Sequence, residues 1–339
     1  MSVSKLRIFH LSCFLACLFD SMGSSAQDTQ IKGFVAANMM LQDDKLDFGI
    51  GEQDLFITSD LNDNFTFLGE TVFTYSPNSP TKFNVSVERI IIKYNYKSNH
   101  NILIGKHHTP THYWNDTYHH GRVFYPTVER PLMFAAYTFP IHTAGLGFTG
   151  LNLGKLRFGY NVLIGNGIGS GEISDNDKYK SVTAAVYVKP KDKLQLGVSY
   201  YSDVISEGAE DHHGNVFLEK INQHLYTATI ANFGQKFEFL AEGTFATNHA
   251  ESTGTVNSFS SYIYTGWRVK EKWVPYVRFD YLKYNDGEIF YEKDDTTSII
   301  VGMRLEVSFL VVVKMEYQHM DSELSGISDL LNTQIAIGF

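Results

Sequence analysis

The feature that most constrains this chain is a regular alternation of apolar and polar residues in segments of about ten residues. In residues 156–164 every second position is apolar, and the pattern returns in residues 182–188 and 194–200, on either side of the turn KPKDK. Neighbouring side chains of a β-strand point to opposite faces, so each segment has one apolar and one mostly polar face. The pattern predicts a chain of many two-faced strands.

Composition agrees with this interpretation and excludes some classes of function. The chain has 20 Tyr, 25 Phe and 27 Gly but only 8 Pro, and 19% of its residues are charged, which favours strands and turns over helices. The net charge of -9 argues against nucleic acid as a partner, since nucleic-acid binding needs clustered Lys and Arg.

The first twenty-six residues have the pattern of an export signal. Lys5 and Arg7 precede an apolar run over residues 8–19, and small residues follow up to Ala26. We therefore expect a signal peptide over residues 1–26 and one folded unit over residues 27–339. Both cysteines lie in the signal, so the folded unit is predicted to lack disulfides.

Connection lengths separate two folds that share this periodicity. A soluble β-sandwich would turn the apolar faces inwards, whereas an outer-membrane barrel would turn them towards lipid. Short turns alternate here with longer connections, as in outer-membrane barrels, and a sandwich has no reason to keep this rhythm. The long connections are expected at residues 110–140, 166–179, 202–220, 247–257, 285–296 and 321–331.

The end of the chain also favours the barrel. It reads NTQIAIGF, with Thr333, Ile335, Ile337 and Phe339 on one face. A terminal Phe after alternating apolar residues resembles the signal by which bacterial outer-membrane barrels are recognised for assembly. We predict an all-β fold, a transmembrane antiparallel β-barrel of about 16 strands in the outer membrane of a Gram-negative bacterium, with about 14 or 18 strands as alternatives.

The predicted strands cover most of the chain, and the second and fourth of them alternate poorly, as bulged strands do. Their ranges are 31–41, 46–59, 64–75, 82–96, 101–108, 141–151, 155–165, 180–189, 193–203, 221–232, 236–246, 258–269, 272–284, 296–306, 308–319 and 331–339.

The longest connection, about residues 109–140, is the third loop on the external side. A barrel of about 16 strands otherwise encloses a wide aqueous channel, so we expect this loop to fold inwards and narrow it. The predicted constriction residues are His107, His108, His112, Tyr113, Trp114, Asn115, Asp116, His119, His120, Arg122, Glu129 and Arg130.

Several segments resemble one group of porins. GKHHTP, HYWNDTYHHG and VERP in the third-loop region, with VPYVRFDYL and VVVKMEYQH later in the chain, resemble the phosphate-selective porin O and P group and its uncharacterised relatives. The resemblance implies a sixteen-stranded barrel, often a trimer, that passes small hydrophilic solutes by diffusion. Those porins concentrate Arg and Lys along the pore, whereas this loop offers mainly His beside Lys106, Arg122 and Arg130, so phosphate specificity is in doubt.

The alternation assigns charges of both signs to the lumen, because Arg or Lys facing lipid near the midplane would cost about 2 to 4 kcal/mol. The mixture indicates weak charge selectivity. The alternative is that Arg278 and Asp280 pair and stiffen the wall. The predicted pore-lining charges are Arg157, Arg268, Arg278, Asp280, Arg304, Lys314 and Glu316, with Glu70, Glu238, Glu242 and Glu306 also assigned to the lumen.

Four interpretations of the loop histidines compete. We favour packing and hydrogen bonding of a folded-in loop against the wall. A Zn or Cu site is an alternative, but the spacing H-H-x3-H-x6-H-H matches no standard metal motif, so no metal is predicted. Catalysis lacks a nucleophile, since the loop has no serine and the chain no G-x-S-x-G. The fourth interpretation is a pH-responsive constriction, because an unperturbed His titrates near about 6.5.

These features predict a passive channel rather than an enzyme, without a cofactor. The expected partners are outer-membrane lipid, small hydrophilic solutes or ions, and further copies of the chain in a homotrimer. The alternative is a non-conducting barrel that serves as an adhesin or assembly platform through external loops such as the acidic SEGAEDHHGN at residues 206–215.

Overall fold

A computed structural model describes residues 28–118, 121–168, 175, 177–210 and 216–339, so the predicted signal peptide and His119 and His120 lie outside the described residues. The strands in the described part are β1 (Asp28–Gln42), β2 (Lys45–Asp60), β3 (Phe65–Tyr75), β4 (Phe83–Lys97), β5 (His100–His108), β6 (His142–Leu153), β7 (Phe158–Gly165), β8 (Ser181–Lys191), β9 (Leu194–Ile205), β10 (Ile221–Phe233), β11 (Phe237–Ala250), β12 (Gly254–Trp267), β13 (Trp273–Tyr284), β14 (Thr296–Ser308), β15 (Val311–Ser322) and β16 (Gly326–Gly338).

These strands form one closed antiparallel barrel, in which each strand pairs with its neighbours in sequence. β1 pairs with β16 from Phe34 opposite Gly338 to Gln42 opposite Leu330, which closes the sheet. Two backbone hydrogen bonds of 2.9 Å between Gly33 and Phe339 continue the closure to the last residue of the chain. The predicted fold class and strand count are confirmed.

Helices are few and short. In the described residues they are α1 (Tyr113–Thr117), a 3-10 helix (Arg122–Phe124) and α2 (Leu132–Ala135), all between β5 and β6. No helix among the described residues has the length and apolar character needed to cross a membrane.

The strands turn apolar side chains outwards and most of their charged side chains inwards. On β13, Val277 and Phe279 are exposed on the outer surface, while Arg278 and Asp280 between them are buried in the lumen. β14 has the same orientation, because Val301 is exposed on the outer surface and its neighbours in sequence face the lumen. This arrangement leaves an apolar outer surface around the barrel, as a lipid-facing wall requires.

The two ends of the barrel differ in their connections. The turn end carries the start of β1, the last residue of the chain and short turns such as residues 192–193, and the loop end carries the longer connections. Two predicted long connections are wrong, because β11 and β12 extend until only residues 251–253 join them, and β15 and β16 until only residues 323–325 join them. These strand ends are rich in polar residues and glycine, so composition alone suggested a loop, yet their backbones still pair.

Bulges explain the weak alternation of two strands. The β1–β2 register shifts between Val35 and Ala37, and the β3–β4 register shifts between Glu70 and Thr71. An extra residue in one strand of a pair reverses the faces that later residues occupy. In β4 the bulge brings consecutive charged residues, Glu88 and Arg89, towards the lumen.

Candidate functional site in the barrel lumen

Loop 3 (residues 109–141) leaves the wall early because β5 is a short strand. Three glycines lie side by side there, Gly105 opposite Gly145 and Gly145 opposite Gly165. Gly105 has φ of +139°, and a Cβ on it would lie 1.8 Å from the carbonyl oxygen of Ile90. Only glycine fits this conformation and this close approach, so the column allows the wall to bend where the loop departs.

The first turn of loop 3 is held by Glu242 of β11. The backbone N–H groups of Tyr113 and Trp114 donate to its two carboxyl oxygens at 2.6 and 3.0 Å. The hydroxyls of Thr229 and Tyr262 donate to the same carboxyl group at 2.7 and 2.6 Å. One wall side chain thus satisfies the orphan N–H groups at the start of α1 and is itself held by its neighbours.

His112 packs into the wall beside this helix. Its Nε2 shares a 2.7 Å hydrogen bond with the Thr244 hydroxyl, and its Nδ1 shares one of 2.9 Å with Thr111. Its ring lies 3.9 Å from the Phe139 ring, centre to centre. Burial lowers the pKa of His112 to about 3, so this imidazole stays neutral under ordinary conditions.

Aromatic and apolar side chains fill the space between loop 3 and this part of the wall. Trp114 is fully buried, with its ring 5.5 Å from Tyr125 of the loop and 5.9 Å from Tyr262 of the wall. Inward-facing Leu240 and Ile300 are fully buried in the same region. This part of the lumen is apolar, because loop 3 covers the wall and excludes water from it.

Arg278 and Asp280 bind the middle of loop 3. The Arg278 guanidinium donates to the Thr127 hydroxyl at 2.6 Å and to the carbonyls of Glu129 and Arg130 at 2.7 and 3.2 Å. Asp280 accepts a 2.9 Å hydrogen bond from Arg278 and one of 3.1 Å from the Leu132 backbone N–H. The predicted pair therefore exists, and both partners also bind the loop.

Lys314 and Glu316 act on the same loop from β15. The Lys314 ammonium donates to the carbonyls of Arg122 and Thr127 at 2.6 and 3.0 Å. Glu316 accepts a 3.0 Å hydrogen bond from the Val128 backbone N–H. The structure places both side chains beneath the loop, where they are buried.

The three remaining predicted arginines differ in position. Arg304 donates to the Pro126 carbonyl at 3.1 Å and pairs with Glu238 at 2.8 Å. Arg268 follows the end of β12 and pairs with Glu238 at 2.9 Å. Arg157 lies in the β6–β7 turn and pairs with Asp192 of another turn at 2.6 Å, away from loop 3.

The basic residues of loop 3 are paired within the lumen. Arg122 contacts Glu129 at 2.7 Å and Glu52 of β2 at 3.2 Å. Arg130 donates to the Tyr125 hydroxyl at 3.1 Å and lies 3.9 Å from Glu52. Asn115 donates to the carbonyls at both ends of loop 3, 2.9 Å from each. Most of the predicted constriction residues thus maintain the shape of the loop.

The open parts of the lumen lie at the two ends of loop 3. The loop-end cavity, of about 670 Å³, is lined by residues that include Phe139, His142 and Asp294. Two turn-end cavities, of about 510 and 480 Å³, both include Arg89, His108 and Asp116 in their linings. The larger turn-end cavity lies beside β2 to β10, and the smaller one lies beside β1, β2 and the β14–β15 turn. The loop-end cavity lies against β13 to β15.

Arg89, Glu88 and His142 in this region were missed by sequence reasoning. Arg89 pairs with Glu70, and His142 Nε2 lies 2.9 Å from a Glu88 carboxyl oxygen. The bulge in β4 hid the orientation of Arg89 and Glu88, and His142 stood outside the dense histidine stretch. Among the described residues, no group of three or more His, Cys, Asp or Glu side chains has the geometry to hold a metal ion.

No family model and no curated sequence matches the chain, whereas several solved structures are similar to it. An anion-selective porin from Comamonas acidovorans has a TM-score of 0.68 at 9% identity, covering 92% of this chain and 100% of that one. In-vitro folded OmpT, an outer membrane protein of Vibrio cholerae in trimer form, has a TM-score of 0.66 at 13% identity, covering 93% and 100%. The outer membrane channel DcaP of Acinetobacter baumannii has a TM-score of 0.61 at 10% identity, covering 94% and 99%.

The chain has the fold of outer-membrane porins. At identities of 9% to 13%, the similarity to these proteins concerns the fold.

Proposed function

We propose that the chain is an outer-membrane channel through which small hydrophilic solutes or ions diffuse passively, with loop 3 as its constriction. The observation that carries this proposal is that loop 3 lies inside the barrel and has an open cavity at each of its ends. Side chains of β11 to β15, such as Glu242, Arg278 and Lys314, hold its backbone. Arg89 and Asp116 are among the polar residues that line the two turn-end cavities.

The proposed selectivity is weak, because many of the lumen charges are already engaged. Arg278, Arg304 and Lys314 bind loop carbonyls and are buried. Arg89 and Lys93 remain among the residues that line the larger turn-end cavity. So few basic groups beside the cavity do not favour phosphate specificity, and membership of the phosphate-selective group stays a prediction.

The proposed location is the outer membrane of a Gram-negative bacterium, with the apolar outer surface in contact with lipid. Exposed Phe279 and Val301 belong to this surface. We also propose a homotrimer, which the trimer form of the structurally similar OmpT supports. Light scattering of the detergent-solubilised protein measures the number of copies. A monomer would contradict the proposed trimer but not the proposed channel.

The channel is tested by recording currents from the purified barrel in a planar bilayer. Discrete conductance steps are expected. Replacing residues 111–139 by a short Gly-Ser turn should raise the unitary conductance, because it removes the proposed constriction. A short link can join the two ends, because the Thr109 N–H donates a 3.0 Å hydrogen bond to the Ile141 carbonyl. The matched control replaces residues 77–81, an exposed connection at the same end, and should leave the conductance unchanged.

Two outcomes would contradict this proposal in different ways. A folded barrel without conductance steps would exclude the channel and favour the adhesin or assembly platform. Steps of equal size with and without residues 111–139 would retain the channel and exclude loop 3 as its constriction.

A further inference from the structure

The larger turn-end cavity has one tyrosine on a part of the wall that is otherwise made of small residues. Gly159 of β7 lies opposite Tyr187 of β8, and Tyr187 lies opposite Gly197 of β9. A Cβ on Gly159 would lie 2.1 Å from the Tyr187 ring, so the ring occupies the space beside the glycine. Ala185, two residues before Tyr187 on β8, also has a small side chain. The half-buried ring therefore lies against the wall, and its remaining surface lines the cavity.

Two amide side chains flank this ring. Asn161 lies two residues after Gly159 on β7. Gln195 lies two residues before Gly197 on β9, so both amides share the lumen face with the ring. Diagonal neighbours in a sheet lie about 7 to 8 Å apart, and all three side chains line the same cavity. Within the described residues neither amide has a side-chain hydrogen bond, so each can offer a donor and an acceptor to a solute.

Further groups around the ring add to the hydrogen-bonding capacity of the cavity. Loop 3 contributes the Tyr113 ring and the Asp116 carboxyl group to the lining. The Lys189 ammonium lies 5.2 Å from the centre of the Tyr187 ring and offers a donor beside it. The cavity, of about 510 Å³, is within the usual size of small-molecule sites, about 300 to 1,000 Å³. It thus combines an aromatic surface with donors and acceptors in a space that suits a small solute.

Groups of both charge signs line the same cavity. Among the described residues, the lining groups that carry or can carry a charge are Arg89, Lys93, Asp116, His107, His108 and His112. An ion of either sign therefore meets like charges as well as opposite ones. A neutral solute is not subject to this long-range repulsion, and its binding depends on hydrogen bonds and apolar contact at short range.

A sugar has the surface that complements this lining, because its hydroxyl groups donate and accept hydrogen bonds and its ring C–H groups form an apolar face. We propose that Asn161, Tyr187 and Gln195 form a binding site for neutral mono- and disaccharides, the sugar platform, on the path through the channel. The C–H face of the sugar lies on the Tyr187 ring, and the two amides bind hydroxyl groups beside it. This proposal rests on the proposed channel function and names its class of solute.

The test measures sugar binding in two independent ways. D-glucose and maltose should reduce the potassium chloride current through the barrel in a planar bilayer, and the reduction should saturate with sugar concentration. Saturation-transfer NMR of the detergent-solubilised barrel should show transfer to the ring protons of D-glucose. Triethylene glycol, a small polyether with few hydroxyl groups, is the control solute and should give neither saturable block nor comparable transfer.

Matched variants isolate the sugar platform. Tyr187→Leu should raise the half-saturating sugar concentration about fivefold or more, because it removes the aromatic face, whereas Tyr187→Phe should bind like the parent. The double variant Asn161→Ala with Gln195→Ala should also raise it about fivefold or more. Tyr226→Leu, the same change on the outer surface of β10, should leave binding unchanged. Heat-dependent migration on gels shows that each variant is folded.

Several outcomes overturn the sugar platform while leaving the channel intact. They are a conducting parent protein without saturable block or transfer, or sugar binding that is unchanged in both Tyr187→Leu and the double amide variant. Absence of conductance in the parent protein would instead reject the proposed channel. NMR transfer to D-glucose that is lost in Tyr187→Leu would in that case retain the binding site without the channel.

Discussion

Single side chains of the barrel wall accept the hydrogen bonds that the backbone N–H groups of loop 3 would otherwise donate to water. A buried N–H group without an acceptor costs about 1 to 3 kcal/mol, so each buried backbone N–H group of loop 3 needs an acceptor. Glu242 supplies acceptors to two successive N–H groups, and Asp280 and Glu316 each supply one. The loop is thereby bound in one defined position along its length.

Replacing Glu242 by Ala should loosen loop 3 without opening the barrel. The N–H groups of Tyr113 and Trp114 would lose their acceptor, and a loss of about 1 kcal/mol or more raises the detached population about fivefold or more. Chymotrypsin cleavage within the loop of the folded protein should accelerate by that factor. Glu207→Ala, at an exposed position in another connection, is the control, and equal cleavage rates in both variants would contradict the prediction.

The short strand β5 determines where loop 3 enters the lumen. β4 beside it continues to the loop end, whereas β5 stops at His108, and the glycine column lets the wall bend at this point. The connection is therefore directed inwards part-way along the wall. Strands β11 to β15 carry side chains that hydrogen-bond to the backbone of the loop.

Gly105→Ala should destabilise the barrel at this bend. The new Cβ would clash with a backbone carbonyl, and a φ of +139° is strained for any L residue. Together these effects should lower the free energy of unfolding by at least about 1 to 3 kcal/mol. Urea unfolding in lipid vesicles should show a lower midpoint. Gly49→Ala on β2, where the nearest atom is 3.9 Å away, should unfold like the parent, and a parent-like midpoint for Gly105→Ala would refute the argument.

The whole barrel combines an apolar outer surface with a lumen that loop 3 partly fills. Covering β11 to β15 with loop 3 buries an aromatic cluster around Trp114, and open cavities remain at both ends of the loop. The same closed sheet thus has an apolar outer surface, a packed interior and open cavities.

A charge on the outer surface distinguishes a membrane barrel from a soluble one. Val301→Arg, at an outward position in the middle of β14 that is 51% exposed, should cost about 2 to 4 kcal/mol in lipid vesicles. Leu324→Arg, in the β15–β16 turn and 61% exposed, should cost little because it lies outside the hydrocarbon. The unfolding free energy of each variant measures this difference, and equal stability would argue for a surface that faces water.

The strand count and the two faces follow from the sequence because alternation is a local property of each segment. The structure has a strand wherever one was expected, with the largest differences in bounds at polar strand ends such as those around residues 247–257. Thr333, Ile335, Ile337 and Phe339 likewise indicated the last strand before its partner was known. Alternation, however, gives only the face of a residue and not its height or its neighbours around the barrel.

Only the tertiary structure decided which lumen groups meet. Lys314 reaches the Arg122 carbonyl, and Leu132 N–H reaches Asp280, across long separations in the chain. Such contacts depend on the register of every intervening strand and on barrel closure, neither of which a local pattern encodes. The position of His108 opposite His142 follows from the same register, which is why the dense histidine stretch alone indicated the region and not this neighbour.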